Sequence, residues 1–131
     1  MPLKFYPPSG QVFVCNFSSF KEPEMTKIRP VIIISPRLPY RSEIVTVVPI
    51  STTRPKHDLS FVVRLSKNYH PKEADDLACW AKCDMMNNLS IARLDMFKVG
   101  RRKYYYPTLN PENLKGCEKW CYSWVRNGAL G

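Results

Sequence analysis

Short apolar runs, separated by polar stretches rich in proline, set the pattern of this chain, and their spacing predicts strands. "GQVFVCNF", Gly10 to Phe17, predicts a first strand, followed by the polar loop "SSFKEPEMTK". Pro30 to Ser35 predicts a second. Its four consecutive branched residues, Val31 to Ile34, read as a strand buried on both faces. "PRLPYRSE" turns the chain at Pro36 and Pro39. "IVTVVPI", Ile44 to Ile50, predicts a third strand that ends in the hydroxyl cluster Ser51-Thr52-Thr53. "SFVVRL", Ser60 to Leu65, predicts a fourth, and "LACWAKCDMM", Leu77 to Met86, a fifth.

Beyond Met86 the pattern changes. Ser90 predicts the N-cap of a short helical turn, "SIARL". Asp95 to Tyr106 reads as one or two strands, with Gly100 at a bulge or turn. A helix then closes the chain. Asn110 is its N-cap, Pro111 its first residue, and Glu112 complements the dipole. Leu114, Cys117, Cys121 and Trp124 share one face, and Gly128 is a natural stop. Many short strands, few helices and no βαβ rhythm predict a mainly β fold with a C-terminal helix, a small barrel. The 131 residues suit a single domain, 1–131, with residues 1–9 and 127–131 expected to be mobile.

Composition narrows the class. Apolar residues make up 44% and charged residues 24%, as in a globular rather than a disordered chain. No apolar run is long enough to cross a bilayer, and "MPLKFYPPSG" lacks the apolar core of a signal peptide, so a cytoplasmic protein is expected. The net charge of +9 suits a polyanionic partner, nucleic acid first, although a plain basic surface explains it equally well. The five cysteines, Cys15, Cys79, Cys83, Cys117 and Cys121, are an odd number and argue against a disulfide framework. The pairs Cys79/Cys83 and Cys117/Cys121 carry three intervening residues where zinc knuckles usually carry two. In a strand, Cys79 and Cys83 would stand ~13 Å apart. All five read as buried thiols, with zinc ligation as the alternative.

Candidate chemistry begins at "KIRPVIIIS". Arg29 ends a polar loop and enters a buried strand behind Pro30, which has no N–H for a ladder. If this strand pairs with the third, the guanidinium and the Ser51 and Thr52 hydroxyls would share a rim able to cradle a phosphate. The plainer alternative pairs Arg29 with Glu22 or Glu24 and leaves Ser51 and Thr52 capping a turn. Lys82 and Asp84, two apart in a strand, would share a face as an acid/base pair or as a surface ion pair. His57 and His70 lie in loops and read as exposed, and Asp75-Asp76 diverge, so neither two-histidine nor metal catalysis is favoured. "GRRKYYYP" mixes cations and aromatics that could stack bases, but Tyr105 is expected to be packed.

"GQVFVCNF", "KIRPVIIIS", "VTVVPISTT" and "WAKCDMMNNLSIARL", in this order and followed by a helix, resemble the PemK/MazF family of toxins from type II toxin–antitoxin systems. The resemblance implies an SH3-like barrel, a homodimer, and metal-independent cleavage of single-stranded RNA without a cofactor. In that chemistry the 2′-OH attacks its own phosphodiester. It also implies an acidic antitoxin as partner, and DNA binding by the toxin–antitoxin complex. Carried over residue by residue, it assigns Arg29 to transition-state charge, Ser51 to a phosphate oxygen, Asp84 to the general base and Lys82 to the acid. Substrate contacts are expected from Glu24, Lys27, Thr52, Thr53 and Arg54. The family's first-loop Gly-His-Glu-Gln is replaced here by Glu22-Pro23-Glu24-Met25, and Lys82 stands where some members have arginine. Two other readings use the same barrel: a gyrase poison, and a basic nucleic-acid-binding module without catalysis.

Overall fold

A computed structural model describes residues 3, 5–17, 28–34, 43–55 and 61–124, the side chains of 123 and 124 excepted. Among these residues nine strands and one α-helix follow in order: β1 (Val12–Asn16), β2 (Ile28–Ile33), β3 (Ile44–Ser51), β4 (Val62–Arg64), β5 (Trp80–Lys82), β6 (Asn87–Ser90), β7 (Leu94–Asp95), β8 (Phe97–Gly100), β9 (Lys103–Tyr105) and α1 (Pro111–Trp124). Seven strands form one sheet in the order β4-β5-β3-β2-β1-β7, with β6 also on β3. β6 and β7, joined by the single 3₁₀ turn Ile91–Arg93, sit on opposite sides of the β1-β2-β3 centre and curl the sheet toward a barrel. The fold is therefore mainly β with a C-terminal helix, as the patterning predicts. No helix among the described residues is long and apolar enough to cross a membrane.

β2 lies at the centre, antiparallel to β1 and to β3. Val31, Ile32, Ile33 and Ile34 are all buried. Alternation sends Val31 and Ile33 into one core with Phe13, Cys15, Val45 and Val47. Ile32 and Ile34 enter a second core with Val12, Val48 and Ile50. α1 closes that second core with Cys117 and Cys121. The unbroken branched run in β2 thus serves two cores, one on each face.

The structure corrects the fifth strand. Leu77 to Met86 is not continuous: β5 holds only Trp80–Lys82, and a 3₁₀ turn, Cys83–Met85, follows. Ile50 pairs with Ala81 and Val47 with Asn87. Three steps along β3 are matched by six along its neighbour, and the turn takes up the surplus. Cys83 is driven into the core there, its N–H donating to the Phe61 carbonyl at 2.9 Å. Lys82 and Asp84 consequently do not share a strand face. The second strand also starts earlier than Pro30, so Arg29 lies inside β2 opposite Cys15. The β2–β3 ladder begins at Val31, one residue past Pro30, which has no N–H to give.

Other expectations meet mixed outcomes. The Ser90 hydroxyl accepts from the Ala92 N–H at 3.2 Å, and the Asn110 side chain accepts from the Asn113 N–H at 2.8 Å, so both N-caps form. The β8–β9 ladder has its irregularity between Lys98 and Gly100. Tyr105, expected to be packed, is half exposed, because it is Tyr106 that stacks on Phe13 at 5.3 Å. In the segment expected to be mobile, Leu3 and Pro7 are buried, and the Tyr6 hydroxyl donates to the Ile44 carbonyl. Residues 127–131 lie outside the described residues.

All five thiols are free and buried. Burial pushes Cys15 up to about 11 and raises Cys79 as well. Cys83 is raised by thiol hydrogen bonding with Cys117 and then Cys121, reinforced by burial. Cys117 is shifted the other way, lowered by its hydrogen bond with Cys83, but all five are enclosed, and an enclosed thiol is out of a reagent's reach. The native protein at neutral pH should therefore resist a disulfide thiol reagent and release five equivalents only on denaturation; rapid labelling of the native state would show that a thiol is reachable.

Gly10 anchors the N-terminal approach. Its N–H donates to the Ile33 carbonyl at 2.7 Å, its carbonyl accepts from the Leu109 N–H at 2.8 Å, and its φ is +93°. A Cβ there would stand 3.1 Å from Leu114 Cδ2. Gly10→Ala combines left-handed strain with crowding and is expected to destabilise the fold by about 1–3 kcal/mol, read as a lower midpoint of chemical unfolding.

Candidate active site

Arg29 is held by a strand rather than by a loop. Its neighbours Ile28 and Pro30 turn to one face of β2, and Arg29 turns to the other with Val31. Continuing the Val31–Pro49 register by two residues brings Arg29 level with Ser51. Ser51 in turn pairs with Trp80, and Lys82 follows two residues later on the same face of β5. Strands far apart in sequence thus bring Arg29, Ser51 and Lys82 to one side of the sheet, where β2, β3 and β5 run together. Asp84 lies in the 3₁₀ turn directly beyond Lys82.

Two charged groups in this region are unusual. Arg29 Nε and Asp84 Oδ1 are shielded from solvent and meet no hydrogen-bond partner among the described residues. Buried polar atoms are nearly always paired, and an unmade charge-assisted bond costs about 1–3 kcal/mol or more. One is a donor and the other an acceptor, the two kinds of group a phosphodiester and a hydroxyl would engage.

Ser51 is buried, and its Oγ accepts from the Thr53 N–H at 3.1 Å, which ties off the end of β3. Thr52, Thr53 and Arg54 follow as exposed residues. Glu24 and Lys27, like the alternative arginine partner Glu22, lie outside the described residues.

Thr52 leads to a feature the sequence did not signal. On the face of β2 to which Ile28 and Pro30 turn lies a cleft of about 190 Å³, and Arg29 borders it. Val14, Ile28, Pro30 and Ile50 line one side of it, while Asn68, His70, Glu73 and Phe97 face them with Thr52 at the edge. His70, read from sequence as an exposed loop residue, is only partly exposed. Its ring meets Phe97 edge-on, with centroids 4.8 Å apart. Burial lowers its pKa. Its Nδ1 accepts from the Lys72 N–H at 3.1 Å, so the neutral ring carries its proton on Nε2. The one local clue was Asn68, an Asx-turn former two residues earlier, whose Oδ1 accepts from the His70 N–H at 2.9 Å.

The loop bearing His70 is bolted to the start of α1. Asn113 Oδ1 accepts from the Ser66 and Tyr69 hydroxyls, each at 2.8 Å. The Tyr69 hydroxyl accepts from the Asn110 N–H at 3.1 Å. Asn110 Nδ2 donates to Ser66 Oγ at 3.0 Å. Asn113 and Tyr69 are both buried. Among the described residues, no group of three or more His, Cys, Asp or Glu side chains is arranged to hold a metal ion.

Residues 9–115 match the family of PemK-like, MazF-like toxins of type II toxin–antitoxin systems, and the chain belongs to that family. No curated protein matches it. Among solved structures, MazF from Deinococcus radiodurans superposes with a TM-score of 0.67 at 18% identity, covering 94% of this chain and 99% of that one. An endoribonuclease from a Mycobacterial species, in complex with its cognate antitoxin, gives 0.62 at 18% identity, covering 92% and 96%. A MazE–MazF complex from Deinococcus radiodurans gives 0.60 at 15% identity, covering 93% and 97%. At these identities the likeness establishes a shared fold.

The Asn113 network makes a stability prediction. Asn113→Ala leaves the Ser66 and Tyr69 hydroxyls without an acceptor and should destabilise the fold by about 2 kcal/mol or more. Asn113→Asp keeps the acceptor in the first turn of α1 and should retain most of the stability. Equal unfolding midpoints for Asn113→Ala and wild type would dismiss the network as a tie.

Proposed function

We propose that this toxin is a metal-independent endoribonuclease that cleaves single-stranded RNA, messenger RNA above all, in the cytoplasm and so arrests translation and growth. The observation that carries this reading is the buried Nε of Arg29, without a partner among the described residues and on the same sheet face as Ser51 and Lys82. A nitrogen of a permanently charged group, shielded from water and without a partner among the described residues, suits a site whose partner arrives with the substrate.

In this reading Asp84, with its own unpaired carboxylate oxygen, takes the proton from the ribose 2′-OH. The 2′ oxygen attacks the adjacent phosphorus, and the bond to the 5′ oxygen breaks. Lys82 gives that leaving oxygen a proton. Arg29 stabilises the extra charge on the phosphorane-like transition state, since a guanidinium gives up no proton at working pH. Ser51, with Thr52 beside it, holds a non-bridging oxygen, and Glu24, Lys27, Thr53 and Arg54 contact the flanking strand. The products are a 2′,3′-cyclic phosphate and a 5′-OH end. The chain acts as a homodimer and is neutralised by an acidic, partly disordered antitoxin, to which its net charge of +9 is complementary.

The test uses purified protein, a long single-stranded RNA and EDTA, with mapping of the 5′ ends. Cleavage that persists and leaves 5′-OH ends is expected. Arg29→Ala should lose about 10²-fold or more of that activity, with an unfolding midpoint close to wild type because Arg29 Nε meets no hydrogen-bond partner among the described residues. Arg29→Lys should recover only part, since a point charge does not replace a fork. RNA left intact by the wild type, or cut equally by Arg29→Ala, would sink the reading.

A further inference from the structure

The cleft shares only Arg29 and Thr52 with the steps above, and the rest of its make-up departs from that of the cationic face. We propose that it is a nucleobase-binding subsite, in which His70 and Glu73 read the edge of one base of the substrate strand and thereby set sequence preference at a position next to the cut. The choice of RNA as occupant rests on the endoribonuclease reading; the existence of a base site rests on the cleft itself.

Size comes first. At about 190 Å³ the space is smaller than the roughly 300–1,000 Å³ of pockets for drug-sized ligands, so it takes one group of a polymer at a time. Its chemistry then selects between the phosphate and the base of a nucleotide. The apolar side, Ile28, Pro30 and Ile50, and the Phe97 ring opposite suit a flat, weakly hydrated body. Glu73 stands in the wall and would repel a phosphate. A carboxylate accepts from the amino or imino N–H groups of a base, and His70 supplies the complementary donor.

Rigidity is the next requirement, because a reading group must be held in place to discriminate. His70 is fixed from several directions. Phe97 meets its ring, the Lys72 N–H engages Nδ1, and Asn68 holds its backbone N–H. Asn68 is itself tied to Asp75 and Leu77. Tyr69, next in sequence, is locked to α1 through Asn113. With Nδ1 engaged as an acceptor, Nε2–H is the group left to donate. Its partner on a base is a carbonyl or ring nitrogen. Glu73, whose N–H donates to the His70 carbonyl at 3.1 Å, is close enough for its charge to act on the imidazole. A donor and an acceptor side by side match a base that presents an acceptor beside an N–H, and reject one that presents the reverse order.

The experiment has two arms. In the first, each of the four uncharged ribonucleosides is titrated into the protein while the His70 imidazole and Phe97 ring resonances are followed. One nucleoside should bind in preference to the others and shift both sets of signals. His70→Gln and Glu73→Gln should each weaken that binding about tenfold or more. In the second arm, cut sites are mapped on a random-sequence RNA. Wild type should show a base preference at a position flanking the cut, and Glu73→Gln should relax or switch it. Failure of all four nucleosides to move the His70 and Phe97 signals overturns the subsite, whatever the enzyme cleaves. An unchanged cut-site profile in both variants overturns its role in specificity while leaving RNA cleavage intact. Selective nucleoside binding without RNA cleavage upholds the base site and removes the endoribonuclease reading instead.

Discussion

The double burial of β2 is the constraint on which the molecule depends. This strand is paired on both edges and covered on both faces, so its register has no freedom. A slip of one residue would exchange the two cores and turn Arg29 to the side now held by Ile28 and Pro30. The same strand therefore organises both hydrophobic cores and sets the side of the sheet from which the guanidinium emerges. Structure and candidate chemistry share one set of alternating positions.

Around that strand the protein places two unlike surfaces back to back. One carries Arg29, Ser51 and Lys82, with an arginine nitrogen and an aspartate oxygen nearby that have no partner among the described residues. The other is a small apolar cleft edged by a neutral imidazole and a carboxylate. Each suits a different part of a nucleotide: the first its phosphate and sugar, the second its base. That division follows from strand geometry, because successive residues of one strand end face opposite ways. Arg29 borders both surfaces, so a single strand end can relate them rigidly.

The 3₁₀ turn at Cys83–Met85 shows how packing reshapes a local preference. An apolar, strand-forming stretch is broken because three surplus residues must be absorbed along one edge of β3. The break sinks Cys83 among the thiols of α1 and lifts Asp84 out of the strand. A similar coupling acts at the start of α1, where Asn110 and Asn113 cap the helix and also anchor the loop that bears His70. Helix formation and the shape of the cleft are thus linked through a buried polar network, which is specific because each member needs the others to be satisfied.

Much of this was legible in the residues. Period-two alternation exposed the strands, and the branched run at Val31 to Ile34 announced its double burial. Asn110-Pro111 marked the start of the helix, and the odd thiol count foretold free cysteines. Arg29 stood out because a cation before a buried strand is expensive, and the order of short motifs pointed to the toxin family. Tertiary structure alone decided the rest. Whether Arg29 preceded the strand or lay inside it depended on pairing with β1. Whether Lys82 and Asp84 shared a face depended on a register mismatch along β3. His70 and Phe97 lie 27 positions apart, and no local pattern ties them to each other or to β2. Side-chain alternation is a local property, readable in a few residues; a cleft forms where distant segments meet, and that is set by how the whole sheet closes.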